Sequence, residues 1–287
     1  MPDLITTLTN AEYHAHPAMS NSRLSRFIES PRLIDVPMEE TDAMRFGTLI
    51  HTALLEPDTL EARTIVAPAD APKRPDSRQL NAKKPSDETL KAIAFWEEFN
   101  ANAIGREVIT AKELQYLRNV QERIARDPIA GPLLAAKGNT ESSLFWDDPI
   151  TGVQMRCRPD FWREDGIIVD VKKTADCSSY GFGRSCLEFG YDRQAAIYTD
   201  GITAVTGTAP KGFVFLAIEG NKDWTNIKVQ AHSVEQVDLD NGRRRRDAGL
   251  ADYVRIKAEF GPDTSKWPDA IATAIKPLRI PYHYLND

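Results

Sequence analysis

The sequence predicts an α/β fold: a central mixed β-sheet that contains an antiparallel meander and is flanked by helices. Three observations predict it. Apolar residues recur at helical spacing through the first 126 residues, the period switches to strict alternation from about residue 141, and a short continuous apolar run, Gly212 to Ile218, follows a second helical stretch. Helices, then a meander, then helices, strands and a final helix describe a mixed sheet covered on its faces.

The elements follow in order. Ser20 is a plausible N-cap for a helix over 20–30, with Leu24, Phe27 and Ile28 on one face and Pro31 stopping it. A second helix is expected at about 43–56, where Phe46, Leu49, Ile50, Ala53 and Leu54 share a face, Pro57 ends it and His51 rides on it. Residues 67–88, rich in Pro, Lys, Asp and Ala, read as a mobile surface loop. Helices at 88–103 and 112–126 come next, then an apolar turn near 129–136. The alternation begins with Leu144 and Trp146, and the turn signal Asp148-Pro-Ile-Thr-Gly152 separates it from a strand over 153–162. After the tip Glu164-Asp165-Gly166 a third strand runs from Ile167 to Lys172. Helices at 178–188 and 191–205, a buried strand at 212–218, an edge strand near 226–232 and a helix at 234–259 complete the chain. We expect one domain over 1–287: a helical part about 1–138, a catalytic sheet core about 139–233, and a C-terminal helix and tail about 234–287.

Composition narrows the functional classes. With 287 residues and 41% hydrophobic content the chain can bury a substantial core, and its longest apolar runs are far too short to span a bilayer. A cytoplasmic protein without membrane contact is expected. Cys157, Cys177 and Cys186 form no CxxC pair or even disulfide framework, which suits a reducing compartment. A formal charge of −6 argues against a general nucleic-acid coat, so any such contact must be local, as at Lys73-Arg74, Lys83-Lys84, Arg156/Arg158, Lys172-Lys173 or Arg243–Arg246.

The segment that carries chemistry is Arg158-Pro-Asp160 through Asp170-Val-Lys172. If Glu164-Asp165-Gly166 is a three-residue hairpin loop with Gly166 left-handed, residues whose numbers sum to 330 lie opposite one another, and Asp160 faces Asp170. Opposed Cβ atoms lie roughly 5 Å apart, a separation at which two carboxylates repel appreciably even at an effective dielectric near 20. Such a pair needs a cation. Alternation puts Lys172 on the face of Asp170, while Val171 points into the core and offers its carbonyl oxygen edge-on. Oxygen ligands of this kind suit Mg²⁺ or Mn²⁺ far better than Zn²⁺, and an ammonium beside the ion can orient a water aimed at phosphorus. The residues point to phosphodiester hydrolysis.

This segment resembles the PD-(D/E)xK nuclease superfamily with its restriction-endonuclease-like core, and the wider chain is similar to the RecE (exodeoxyribonuclease VIII) and lambda-exonuclease branch. The resemblance runs through Tyr13 to Leu24, Phe46-Gly-Thr-Leu-Ile-His51, Thr140 to Trp146, Arg158-Pro-Asp160, Asp170-Val-Lys172 and Tyr191-Asp-Arg-Gln194-Ala-Ala-Ile-Tyr198. It implies that Asp160, Asp170 and His51 hold metal, beside the Val171 carbonyl that alternation already offers, that Lys172 is the catalytic lysine, and that Gln194 and Tyr198 line the site. It further implies that Ser20, Ser22 and Arg23 hold a 5′-phosphate at a helix N-terminus, with Glu141 as an accessory carboxylate. From residue type alone His51 is equally a core or surface histidine, Ser20 a cap, Gln194 and Tyr198 packing residues and Glu141 an exposed strand residue. The Arg243–Arg246 run corresponds to no motif of the family.

The implied activity is an Mg²⁺-dependent, ATP-independent exonuclease on linear double-stranded DNA, 5′→3′, exposing a 3′ single strand for recombination, with two ions per site and Mn²⁺ as substitute. A ring-shaped homo-oligomer, a single-strand annealing protein of the RecT kind as partner and a phage origin are implied with it. The alternatives are an endonuclease or end-trimming repair nuclease on the same core, or an inactive DNA-end-binding module.

Overall fold

The computed structural model describes residues 3–5, 8–37, 41–220 and 226–271; residues 272–287 of the expected C-terminal tail lie outside these. The chain runs β1 (Asp3–Ile5), α1 (Asn10–Ala15), α2 (Asn21–Glu29), α3 (Asp42–Leu55), α4 (Leu60–Arg63), β2 (Thr64–Val66), α5 (Ser77–Leu80), α6 (Asp87–Asn102), β3 (Glu107–Ile109), α7 (Ala111–Ala125) and α8 (Ala130–Leu134). Then come β4 (Gly138–Thr140), β5 (Ser143–Asp147), β6 (Gln154–Cys157), β7 (Phe161–Arg163), β8 (Ile167–Thr174), α9 (Ser179–Phe189), α10 (Tyr191–Thr206), β9 (Gly212–Gly220), β10 (Ile227–Ser233) and α11 (Gln236–Phe260).

Local chemistry explains most boundaries. The Ser20 hydroxyl accepts the Arg23 amide at 3.2 Å and caps α2, Thr41 does the same for α3 through Met44, and Thr110 with Glu113 forms a capping box on α7. Gly190, at φ +68°, ends α9 and starts α10, so the two helices turn on one left-handed residue. The 67–88 segment is less loose than its composition suggests. It contains α5, and the Trp96 indole of α6 donates to the Pro72 carbonyl at 2.9 Å while Arg74 lies over its ring.

The main sheet has the order β10-β9-β8-β7-β4, antiparallel except for the β8–β9 pair. A second sheet, β1-β5-β6, stands beside it. The expected strand over 153–162 is thus divided: β6 stays with β5, the chain bends at Arg158-Pro-Asp160, and β7 joins β8 in the other sheet. Pro159 cannot donate to a ladder, which favours a break there. Beyond the break the hairpin has the predicted register, with Phe161 opposite Val169 and Trp162 opposite Ile168, and Gly166 sits at φ +90° in its tip.

The pleat of β8 sorts two cores. Ile168 joins Met19, Leu24, Phe27, Phe213, Phe215, Ile197 and Leu250 on one side. Val169 and Val171 join Phe46, Ile50, Tyr116 and Leu117 on the other, beneath α3 and α7. Asp170 and Lys172 therefore face α10, and the backbone of Val171 is within reach of α3. Among the described residues no helix is long and apolar enough to cross a membrane.

Candidate active site

The break before β7 creates the site. Where β7 has not yet begun to pair, the Val171 amide donates instead to Asp160 Oδ2 at 2.7 Å, so a carboxylate substitutes for a missing strand partner. On the same residue the Val171 carbonyl accepts from His51 Nε2 at 2.9 Å. A carbonyl can only accept, so Nε2 carries the hydrogen and Nδ1 faces Asp160 Oδ2, 3.5 Å away. A nitrogen and a carboxylate oxygen so placed are bridged by a proton or by a cation.

Glu141 completes the group. Its amide donates to the Asp160 carbonyl at 3.2 Å, and its backbone is left-handed at φ +49°, an unusual state for a residue with a side chain. One ligand atom each from His51, Glu141 and Asp160 lies within 4.8 Å of the others. Burial, and then the Asp160 charge, push the Glu141 carboxyl up to about 8. One imidazole nitrogen with two carboxylates fits Mn²⁺ readily and Mg²⁺ when water completes an oxygen-rich shell.

Asp170, one residue before Val171 on β8, is fully buried. Burial and the Asp160 charge push it up to about 6. Its Oδ1 pairs with the Lys172 ammonium, and its Oδ2 accepts from Gln194 Nε2 at 3.2 Å. Gln194 also donates to the Tyr198 hydroxyl at 2.8 Å, as two residues one turn apart on α10 can. Burial opposes the charge on Lys172, yet Asp170 and Asp160 hold its pKa above the ordinary lysine value, and the rings of Tyr191 and Phe215 lie 5.0 and 6.0 Å from Nζ. The neighbouring carboxylates thus favour the charged form of Lys172. The structure thus brings His51, Asp160, Asp170, the Val171 carbonyl, Lys172, Gln194 and Tyr198 together and adds Glu141 to the ligand-bearing group.

Ser20, Ser22 and Arg23 stand at the start of α2, the two hydroxyls 3.0 Å apart. Beside them lies a group that the sequence reading did not assign. Met19 and Met155 pair in a parallel bridge and both point inward, so Ser20 and Arg156 share the opposite face. Arg156 is 4% exposed, yet its Nε and Nη1 have no partner among the described residues, and Arg23 Nε likewise has none. Burial holds the Arg156 pKa below its ordinary value; Tyr13 opposes that shift, and the charges of Arg23 and Arg158 add to it. The Tyr13 ring lies between the Arg156 and Arg158 guanidiniums, 4.6 and 4.5 Å from them. Arg158 donates to Ser143 Oγ and to the Leu8 carbonyl and comes within 4.0 Å of Glu141. Arg23 pairs with Asp35 through Nη2 and Arg156 donates to the His14 carbonyl through its own Nη2, and a chain of contacts links this arginine group to the carboxylate group. The available signal was alternation: Arg156 and Arg158 share a face that Met155 and Cys157 leave.

The Arg243–Arg246 run is engaged inside the molecule. Arg243 and Arg246 pair with Asp200 on α10, Arg245 pairs with Asp192 at 2.7 Å, and Arg244 reaches Asn241 at 3.1 Å. The Asp192 and Asp200 pairs fasten α11 to α10, whereas the Arg244–Asn241 bond lies within α11.

A family model described as a PDDEXK-like domain of unknown function (DUF3799) matches residues 29–270, beginning just after the Tyr13–Leu24 segment. Among solved structures, a candidate exonuclease of Eubacterium rectale is similar over 98% of each chain, with a TM-score of 0.61 at 14% identity. A phage-related exonuclease of Haemophilus somnus 129PT gives a TM-score of 0.34 at 13% identity over 86% of this chain and 98% of its own. An alkaline exonuclease of Laribacter hongkongensis gives 0.28 at 14% identity over 64% of this chain and 87% of its own. No curated protein matches the chain in sequence.

Proposed function

We propose that this chain, which belongs to the PDDEXK-like domain family, is a metal-dependent deoxyribonuclease that degrades linear double-stranded DNA without ATP. The observation that carries this reading is the group formed by His51, Glu141 and Asp160 at the β7 break, with the Asp170–Lys172 pair beside it. A divalent ion held there, Mg²⁺ or Mn²⁺ and one or two per site, would supply a polarised phosphoryl oxygen and an acidified water. The chain's own groups do the rest. Lys172 donates to the reacting phosphate or the attacking water, Asp160 and Glu141 hold negative charge where the ion is needed, and Gln194 keeps Asp170 aimed through its own bond to Tyr198.

The pocket of Arg156, Arg23, Ser20 and Ser22 supports an exonuclease over an endonuclease. Unpartnered buried guanidinium N–H groups favour an anion, and a terminal 5′-phosphate is one that only a DNA end provides. We therefore read the polarity as 5′→3′, leaving a 3′ single strand for recombination, with a single-strand annealing protein as partner. We also read the three parts of the chain as one domain and the working form as a ring-shaped homo-oligomer. Purified protein with Mg²⁺ and no ATP should release nucleotides from linear duplex and spare a covalently closed circle, and label at the 5′ end should be lost before label at the 3′ end. Cleavage of the circle at an equal rate would replace this reading with an endonuclease, and absence of any cleavage would sink the enzyme.

A further inference from the structure

We infer that Gly47 is the point of closest approach of DNA to this protein, a notch on α3 kept open for the sugar–phosphate backbone of the strand at the metal-ligand group; the inference rests on the nuclease reading. Glycine destabilises a helix interior relative to alanine because it gives up more backbone freedom. Several helical glycines here have a reason in packing. A Cβ at Gly181 would meet Asp176, at Gly201 the Trp146 ring and Cys157, and at Gly242 the Asp192 carbonyl, all at under 3 Å. A Cβ at Gly47 would meet nothing within 4 Å, and its φ is not positive. Neither packing nor backbone conformation calls for glycine at this position.

Its place on the helix says what does. The face formed by Phe46, Leu49, Ile50 and Ala53 is buried, so Gly47 lies on the outer face with the exposed Met44 and, one turn on, with His51. The His51 ring, which could lean back over that turn, is held away from it by the Val171 carbonyl and Asp160. The open space thus lies one turn of α3 from His51, whose partly exposed side chain shares the ligand-bearing group with the partly exposed Glu141. A phosphate entering that group brings its strand along the outer face of α3, where one methyl group would hold the backbone off by more than an ångström. Displacements of that size at a reacting centre cost about 10²-fold in rate. Gly183 offers an internal comparison: a Cβ there also meets nothing, but it lies on the outer side of α9, away from the buried Phe182.

The test compares Gly47→Ala, Gly47→Leu and Gly183→Ala with the wild type, reading thermal midpoint, Mn²⁺ affinity by calorimetry and kcat/KM on linear duplex. Gly47→Ala should melt about 2 °C higher, bind Mn²⁺ as the wild type does, and lose about 10-fold or more in kcat/KM. Gly47→Leu should lose more, and Gly183→Ala should gain stability with kcat/KM unchanged. A Gly47→Ala protein as active as the wild type overturns the inference, as does a loss of activity matched by a loss of Mn²⁺ affinity or shared by Gly183→Ala. A wild type inactive on every duplex overturns the nuclease reading instead, a result distinguishable from all of these.

Discussion

Asp160 accepts the Val171 amide where β7 has left the ladder, so its removal costs a buried backbone hydrogen bond as well as a ligand. Asp160→Asn retains an acceptor and sheds the repulsion with Asp170 and Glu141; it should melt at or above the wild-type temperature while cleavage is abolished. Asp160→Ala should abolish cleavage and also lose about 1–3 kcal/mol of stability in denaturant titration. Lys172→Ala should keep Mn²⁺ and DNA affinity while kcat drops by about 10²-fold or more, measured in single turnover. His51→Ala should be slow in Mg²⁺ and partly rescued by Mn²⁺; activity unchanged in both metals would return His51 to a packing role. The pH dependence follows from Glu141 and Asp170, pushed up to about 8 and about 6. Both carboxyls bind protons more tightly folded than unfolded, so the metal-free protein loses stability as pH rises from the ordinary carboxylate range to about 8. A cation competes with those protons. Mn²⁺ should therefore bind about 10-fold or more tighter at pH 8 than at pH 6, with proton release in calorimetry, and a flat profile would exclude Glu141 from the ligand set.

At the scale of elements, the hairpin of β7 and β8 was legible because a three-residue loop with a left-handed Gly166 fixes register, and register fixes which side chains oppose. The division of the preceding strand was not read, although Pro159 marks its place; a proline shows where a ladder can break but not that the two halves join different sheets. Arg243–Arg246 shows the converse. Four adjacent arginines read as a candidate DNA path until α10 supplies Asp192 and Asp200. Gly242 permits that packing, since a Cβ there would meet the Asp192 carbonyl at 2.2 Å. Asp200→Ala removes the α10 partner of Arg243 and Arg246 and should cost about 1 kcal/mol, because Asp200 is partly exposed and the two arginines keep Asp240 and Asp247. Its DNA affinity should be unchanged; a specific loss of DNA binding with stability intact would return the run to the DNA path.

For the whole molecule, the two cores share β8 and β9, so the chain should unfold in one transition with equal calorimetric and van't Hoff enthalpies. Two separated transitions would divide the domain. The charge of −6 and the local cationic pocket together imply that DNA affinity falls linearly with the logarithm of salt concentration, with a slope set by few phosphate contacts.

The sequence by itself determined the fold class, the hairpin register that sets Phe161 opposite Val169, and the face that Lys172 shares with Asp170, because period-2 alternation and a tight turn are local geometry. Only the tertiary structure decided that Glu141 joins His51 and Asp160, that Arg156 is buried with unpartnered N–H groups, and that Arg243, Arg245 and Arg246 are paired with carboxylates at home. The physical reason is common to all three. A charge takes its meaning from the groups packed around it, and those arrive from distant segments: His51 lies 90 residues before Glu141, and Asp192 and Asp200 lie 43 to 53 residues before the arginines they hold.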